Sequence, residues 1–486
     1  MKNNNAFRII KNTAALFGGR AATLLFSFFF VVYVARYMGV DGFGKYSLVR
    51  GYFELFLSLT AAALSIIVTR DIAQKPESLN VQLSVSVVFS IVLSIVCSAI
   101  LIVLGLLSHY DPDVWVALLF TCVALLPATI SEQVQAVFRG VERAEFITYV
   151  TVFENVLRIM LSLAVLLLGY GLVALFVIHI VSRSVMLVAC LVIAKRLCPD
   201  LHWKYDRAAL KTMWRDWRIF AAENWLSNVF NSLDMILLSW FSTNTMIGLY
   251  SAANKILSMG GQLAISFTTA AFPYLTQLYG KSQTRFWQVI GNVMKYMLAA
   301  MLPIVILTIV LSSQLVGLLF SAQFADAAPI LNVLMWALLL RFFNMFLSYV
   351  LFARGSQERS MVVAAVSLAA YFVCGVWLTQ QYTAMGVSVA RVIAMVIAFA
   401  LYCALAFGKD QLRNLLVVLG KTSAAGIGIG LLVFLMRNSV GLVPLLTLAL
   451  VAYSLLLFVF GIVTANHLGQ MRQAFSSMLR RTGTVS

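Results

Sequence analysis

The sequence predicts an all-α protein that crosses a membrane about fourteen times, with two similar six-helix lobes followed by two further helices. Three observations lead there. The 486 residues are 62% hydrophobic and only 11% charged, with mean hydropathy +0.94, whereas soluble domains carry about 25% charged residues. The apolar runs are long and show no period-two alternation, and with eight prolines they fit helices and not the strands of a barrel. Lys and Arg also concentrate in alternate loops, the signature of an even number of spans with both termini on the basic, cytoplasmic side.

Each span is about 20 residues or longer, enough to cross ~30 Å of hydrocarbon at ~1.5 Å per residue. They fall near 13–35, 46–68, 84–107, 114–138, 147–168, 172–194, 217–240, 247–272, 289–312, 329–352, 361–379, 385–407, 412–436 and 442–463. Residues 1–11 are polar and basic with no cleavable leader pattern, so the first helix is expected to be retained. The longest connection, 195–216, divides an N-terminal lobe (1–194) from a C-terminal lobe (217–407), with the last two helices and a tail in 408–486. An internal echo supports this division. Gly44-x-Tyr46-Ser47 returns as Gly248-x-Tyr250-Ser251, Arg139-Gly140 returns as Arg354-Gly355, and Gly171 returns as Gly386, each at the same place in its half. Six spans per half make the repeat parallel, which puts a central cavity between the lobes near the membrane midplane.

Most of the net +17 lies in cytoplasmic loops, so it does not call for nucleic acid. Nine basic residues remain inside spans: Arg20, Arg50, Arg158, Arg183, Lys255, Lys295, Arg341, Arg391 and Lys421. Arg183, Lys295 and Lys421 sit toward span ends and are expected to reach the headgroups. In-span acids are Glu54, Glu132, Glu154, Glu223 and Asp234. Arg50 with Glu54, and Glu154 with Arg158, stand four residues apart and share helix faces. These pairs leave the interior net positive. A charge in mid-membrane costs at least ~2.5 kcal/mol on insertion scales, so such groups face protein or water and not lipid. The seventh span carries Asn224, Ser227, Asn228, Asn231 and Asp234 at helical spacing on one face, with Glu223 at its edge, an amide- and hydroxyl-rich wall suited to sugar or to interhelical hydrogen bonding.

Catalytic chemistry is not legible. The four histidines (His109, His179, His202, His467) are scattered, Asp111-Pro112-Asp113 reads as a turn in a short outer loop, and no Walker motif or metal-ligand spacing occurs. The six cysteines read as small buried hydrophobes, and Gly426-x-Gly428-x-Gly430 reads as a close-packing helix face. No cofactor is expected, and energy must come from a coupling ion, H⁺ or Na⁺, or from the membrane potential.

Asn12-x7-Arg20, Gly39-x-x-Gly42-Phe43-Gly44-x-Tyr46, Arg70-Asp71-Ile72-Ala73 and Arg139-Gly140 resemble the polysaccharide transporter (Wzx-type oligosaccharide flippase) family of the multidrug/oligosaccharidyl-lipid/polysaccharide superfamily. The resemblance runs the length of the chain. It implies an inner-membrane protein that moves undecaprenyl-pyrophosphate-linked oligosaccharide to the periplasmic leaflet by alternating access, alongside membrane lipids and a polysaccharide polymerase with its chain-length machinery. Related lipid II flippases place basic residues of the first, second and eighth helices against the pyrophosphate, which maps onto Arg20, Arg50 and Lys255 here. The expected sugar contacts are Asn224, Asn228 and Asn231, and the expected ion-coupling acids are Glu54 and Asp234. Two rivals remain: a drug/cation antiporter of the same superfamily, which favours acids and aromatics around its ligand, and a membrane polymerase or ligase, which needs catalytic groups on longer outer loops.

Overall fold

The computed structural model describes residues 3–407 except His109, with side chains from residue 26 onward apart from residues 219, 222–224, 227, 263 and 270; beyond 407 it describes scattered positions between 420 and 455. Among the described residues every long element is a helix. These are α1 (Asn3–Gln74), α2 (Leu79–Leu107), α3 (Pro112–Gly140), α4 (Glu145–Leu167), α5 (Leu172–Leu197), α6 (Arg207–Phe241), α7 (Asn244–Lys281), α8 (Gln283–Val310), the short α9 (Ser312–Phe320), α10 (Ala327–Ala353) and α11 (Gln357–Ala406). Eight segments are long and apolar enough to cross a membrane by length and composition. The chain is a polytopic, all-helical membrane protein.

Twelve of the expected spans have a helix in place, because two helices each hold a pair. α1 is interrupted at Gly39 (φ 69°, ψ −175°), a left-handed conformation that glycine adopts without Cβ strain. α11 is interrupted at Thr383 (φ 48°, ψ −123°), where a β-branched residue takes an unfavourable backbone to turn between the eleventh and twelfth spans. The expected spans 412–436 and 442–463 fall mostly outside the described residues, as does Lys421.

The helices form two compact units, Arg8–Ser251 and the stretch from Ala252 onward. α6 begins ahead of its expected span. Arg207 opens that helix ten residues before the expected span, with the Asp206 carboxylate accepting from the backbone N–H of Ala208. Met213, Trp217 and Ala221 of α6 then bury themselves in the core of the first unit with Ile67 of α1, Phe89 of α2 and Phe138 of α3. Trp217 and Trp214 stack beside Phe89, and Asp216 accepts from Arg70 at 2.7 Å. The connection proper is only 198–206, held to α2 by Asn80, which bonds both Asp200 and His202, and by Ser84, which accepts from the Lys204 N–H.

At the other end of the same unit, α1 and α7 cross at the echoing glycines. A Cβ on Gly44 would overlap the carbonyl of Asn244, and one on Gly248 would overlap the carbonyl of Val40. Each glycine therefore lies on the carbonyl four residues before its counterpart. Lys45, one residue on, is ringed by Asp111 (2.8 Å), Asp113 (3.1 Å) and Asp41 (3.8 Å). Asp111-Pro112-Asp113 is thus the start of α3, with Pro112 in the first turn, where its missing N–H costs nothing.

In the second unit α10 and α11 share an apolar core through Phe346, Leu347 and Val350, and Asn344 donates to the Met395 carbonyl at 2.9 Å. Gly426 and Gly430 press on Leu302 and Ile306 of α8, the close contact expected of that glycine face. All six cysteines are free thiols, none of them exposed.

Candidate functional site

Three helices of the first unit each contribute an i,i+4 pair, and the pairs converge. α1 supplies Arg50 and Glu54, α4 supplies Glu154 and Arg158, and α5 supplies His179 and Arg183. Arg50 is ion-paired with Glu54 and stands 3.5 Å from His179 Nδ1. Arg158 lies 3.4 Å from Glu154, which also receives Arg183 at 4.0 Å. Arg158 donates to Asn155 Oδ1 at 2.8 Å. The guanidinium groups of Arg50 and Arg183 lie over Phe53 at 5.6 and 5.5 Å, and that of Arg158 over Phe30 at 5.7 Å. Aromatic faces offset part of the lost hydration of these cations.

The five charged groups sum to +1, and they grade from buried to exposed. Glu154 is 3% exposed, whereas the Glu54 side chain is 52% exposed. Arg50 links the two environments. Behind it Arg50, Arg158, His179, Tyr46 and Ser162 line a cavity of about 10 Å³, room for one water at most. His179 is buried and its Nε2 has no hydrogen-bond partner among the described residues. That cavity is too small for a phosphate.

The expected site residues are distributed as follows. Arg20 lies in α1, but its side chain, like that of Asn224, falls outside the described residues. Arg50 and Glu54 are together, as their spacing requires. The polar face of α6 divides: Asn231 is exposed, Asn228 is half-buried, and Asp234 turns inward, 1% exposed, accepting from the Tyr250 hydroxyl at 2.6 Å. Lys255 is half-buried on α7 in the second unit. There Arg391 donates to Asn254 at 3.4 Å, and Arg341, which lies against Gly261, feels the charge of Arg391.

Two residues of the ionic cluster escaped the reading of the sequence. Arg183 does not reach for the headgroups; it turns inward to Glu154 and Phe53. His179, set aside for want of a carboxylate nearby in sequence, sits edge-on to Phe53 at 4.4 Å beside Arg50. A usable signal existed. Three separate spans carry titratable residues at i,i+4, and repetition of that spacing marks helix faces that can meet.

Comparison with known proteins supplies the family. A model described as "Polysaccharide biosynthesis protein" matches residues 9–279, more than half of the chain. The chain belongs to the polysaccharide biosynthesis protein family. A MatE model also matches residues 220–378 of this family member. No curated protein sequence matches significantly. Among solved structures, the lipid II flippase MurJ in an inward closed conformation superposes with TM-score 0.76 at 13% identity, over 92% of this chain and 98% of that one. An inward-facing multidrug resistance MATE transporter of the MOP superfamily gives 0.62 at 17% identity, over 83% and 95%. A Pyrococcus furiosus MOP transporter, described as having a binding pocket of reverse polarity, gives 0.55 at 18% identity, over 86% and 95%. At these identities the likeness is one of fold, and this member of the polysaccharide biosynthesis family has the fold of MOP-superfamily transporters.

Proposed function

We propose that the protein is a flippase that carries an oligosaccharide on an undecaprenyl-pyrophosphate anchor from the cytoplasmic to the periplasmic leaflet of the bacterial inner membrane, with both termini cytoplasmic. The observation that carries this reading is the surplus of positive charge held inside the spans, graded in the first unit from a buried Glu154 to a more exposed Arg50–Glu54 pair. A pyrophosphate head cannot cross bare hydrocarbon, and fixed cations at a wet surface lower that barrier. The lipid tail stays in the bilayer.

Arg50 meets the head by exchanging Glu54 for phosphate, with Arg20 and Lys255 as the other cationic contacts. Asn224, Asn228 and Asn231 offer amides to the sugars, and Glu54 and Asp234 are in-span acids able to bind H⁺ or Na⁺. Fixed charge moving with the substrate also senses the membrane potential, at ~2.3 kcal/mol per charge per 100 mV. A polysaccharide polymerase and its chain-length machinery would take the product on the outer side.

The MatE match gives a second reading, a drug/cation antiporter. A positive interior opposes a cationic ligand, which keeps it second. One assay decides: the purified protein in vesicles with fluorescent lipid-linked oligosaccharide, following probe accessibility in each leaflet. Translocation with unchanged glycan length is expected, and Arg50→Ala is expected to slow it about tenfold or more. Growth of the glycan would point instead to a polymerase, and export of a cationic dye without lipid movement would point to the antiporter.

A further inference from the structure

Glu132 is set apart from the other in-span acids whose side chains are described. Glu54 has Arg50, Glu154 has Arg158 and Arg183, and Asp234 has the Tyr250 hydroxyl. Glu132, two turns before the cytoplasmic end of α3, makes no hydrogen bond or ion pair among the described residues and is only partly buried. Its charged surroundings are nevertheless defined. Arg139 on the same helix and Arg183 on α5 attract it, Glu54 on α1 repels it, and the Cys190 thiol of α5 lies within its field. α2, also packed against α3, contributes no charged residue. The two cations are engaged elsewhere: Arg139 donates to the Thr69 hydroxyl at 3.4 Å, and Arg183 reaches Glu154 and Phe53.

We propose that Glu132 is the proton-binding carboxylate of the transport cycle, taking H⁺ from water on one side of the membrane as its O–H bond forms and returning it to water on the other as that bond breaks. This rests on the transport reading above and names its coupling ion. An ionised carboxylate at membrane depth with no partner is costly, and neutralisation by a proton removes that cost. The same group becomes an anion again when a conformational change brings Arg183 or water to it. Glu54 and Asp234 are poorer proton carriers, since each already has a fixed donor. The partial exposure of Glu132 gives the proton a way in, which Glu154, sealed between two guanidinium groups, lacks.

The test uses the full-length protein in vesicles. Infrared difference spectra between acid and neutral pH are expected to show a carboxylic-acid carbonyl band that Glu132→Gln removes and Glu132→Asp shifts. In an imposed pH gradient, Glu132→Gln is expected to lower the gradient-driven rate of lipid-linked oligosaccharide movement about tenfold or more, and the rate left in the variant is expected not to respond to the gradient. A variant that keeps its response to the gradient, or a band that survives Glu132→Gln, overturns the proposal. Should that variant fail to insert, the unaltered protein decides. A lipid-soluble carbodiimide, which adds to protonated membrane carboxyls, should modify Glu132 at acid pH and less at high pH, and no labelling of Glu132 overturns the proposal. If the titrating band is present but no lipid-linked oligosaccharide moves, the proton site stands and the substrate assignment fails.

Discussion

The fifth span and the eleventh, which occupy the same place in their halves, bury the same kind of stripe. α4 turns inward Val150, Glu154, Arg158, Ser162 and Leu166, and the first half of α11 turns inward Val363, Ser367, Tyr371, Gly375 and Thr379. Both stripes repeat every fourth residue, yet only the first contains charge. The first half of α11 therefore packs without an ionic centre, whereas the buried stripe of α4 carries Glu154 and Arg158. The second unit differs in kind as well. Between Ala252 and Phe407 its acids are Asp326, just before α10, and Glu358, in the first turn of α11, so no acid sits within a span beside Lys255, Lys295, Arg341 and Arg391. One unit sets acids beside its buried cations, and the other holds cations without acids in the same spans.

Breaking the paired cluster should have the largest effect. Arg158→Ala leaves Glu154 with Arg183 alone at 4.0 Å, and losing one partner of a buried pair typically costs about 3–5 kcal/mol. A large drop in the thermal unfolding temperature in detergent is expected, with partial recovery in Glu154→Gln/Arg158→Met, which removes both charges. If the single variant melts like the parent, the cluster is not the paired one described here. A smaller effect is expected in the second unit. Arg341→Gln removes one of two cations that repel each other, so stability should change by less than about 1 kcal/mol, while translocation slows. A stability loss as large as that of Arg158→Ala would erase the contrast between the units. The smallest effect belongs to the half-exposed Arg70–Asp216 pair. Asp216→Asn should cost about 0.2–1 kcal/mol, less at high salt, and a cost that is indifferent to salt would place that pair with the buried ones.

The fold was largely legible because hydrophobic run length is a strong signal in a membrane protein, and the residues described confirm twelve of the helices it foretold. The start of α6 was not. Leu210, Met213, Trp217 and Phe220 have helical spacing, but Lys211, Arg215 and Arg218 interleave them and give the stretch the composition of a loop. The site was legible within one helix and opaque between helices. Spacing gave Arg50–Glu54 and Glu154–Arg158. It could not give the rotation that turns Arg183 inward, nor the turn of Asp234 away from Asn231 toward Tyr250, since both depend on which neighbour each helix meets.

The crossing of Gly44 with Gly248 has a wider consequence. The two halves of the duplicated pattern meet there backbone to backbone, each copy resting on the main chain of the other. Polar side chains flank the joint, with the Thr245 hydroxyl donating to Asp41 at 3.4 Å and the Asn244 amide to Asp111 at 3.1 Å. It follows that neither glycine can gain a side chain without forcing the two main chains apart.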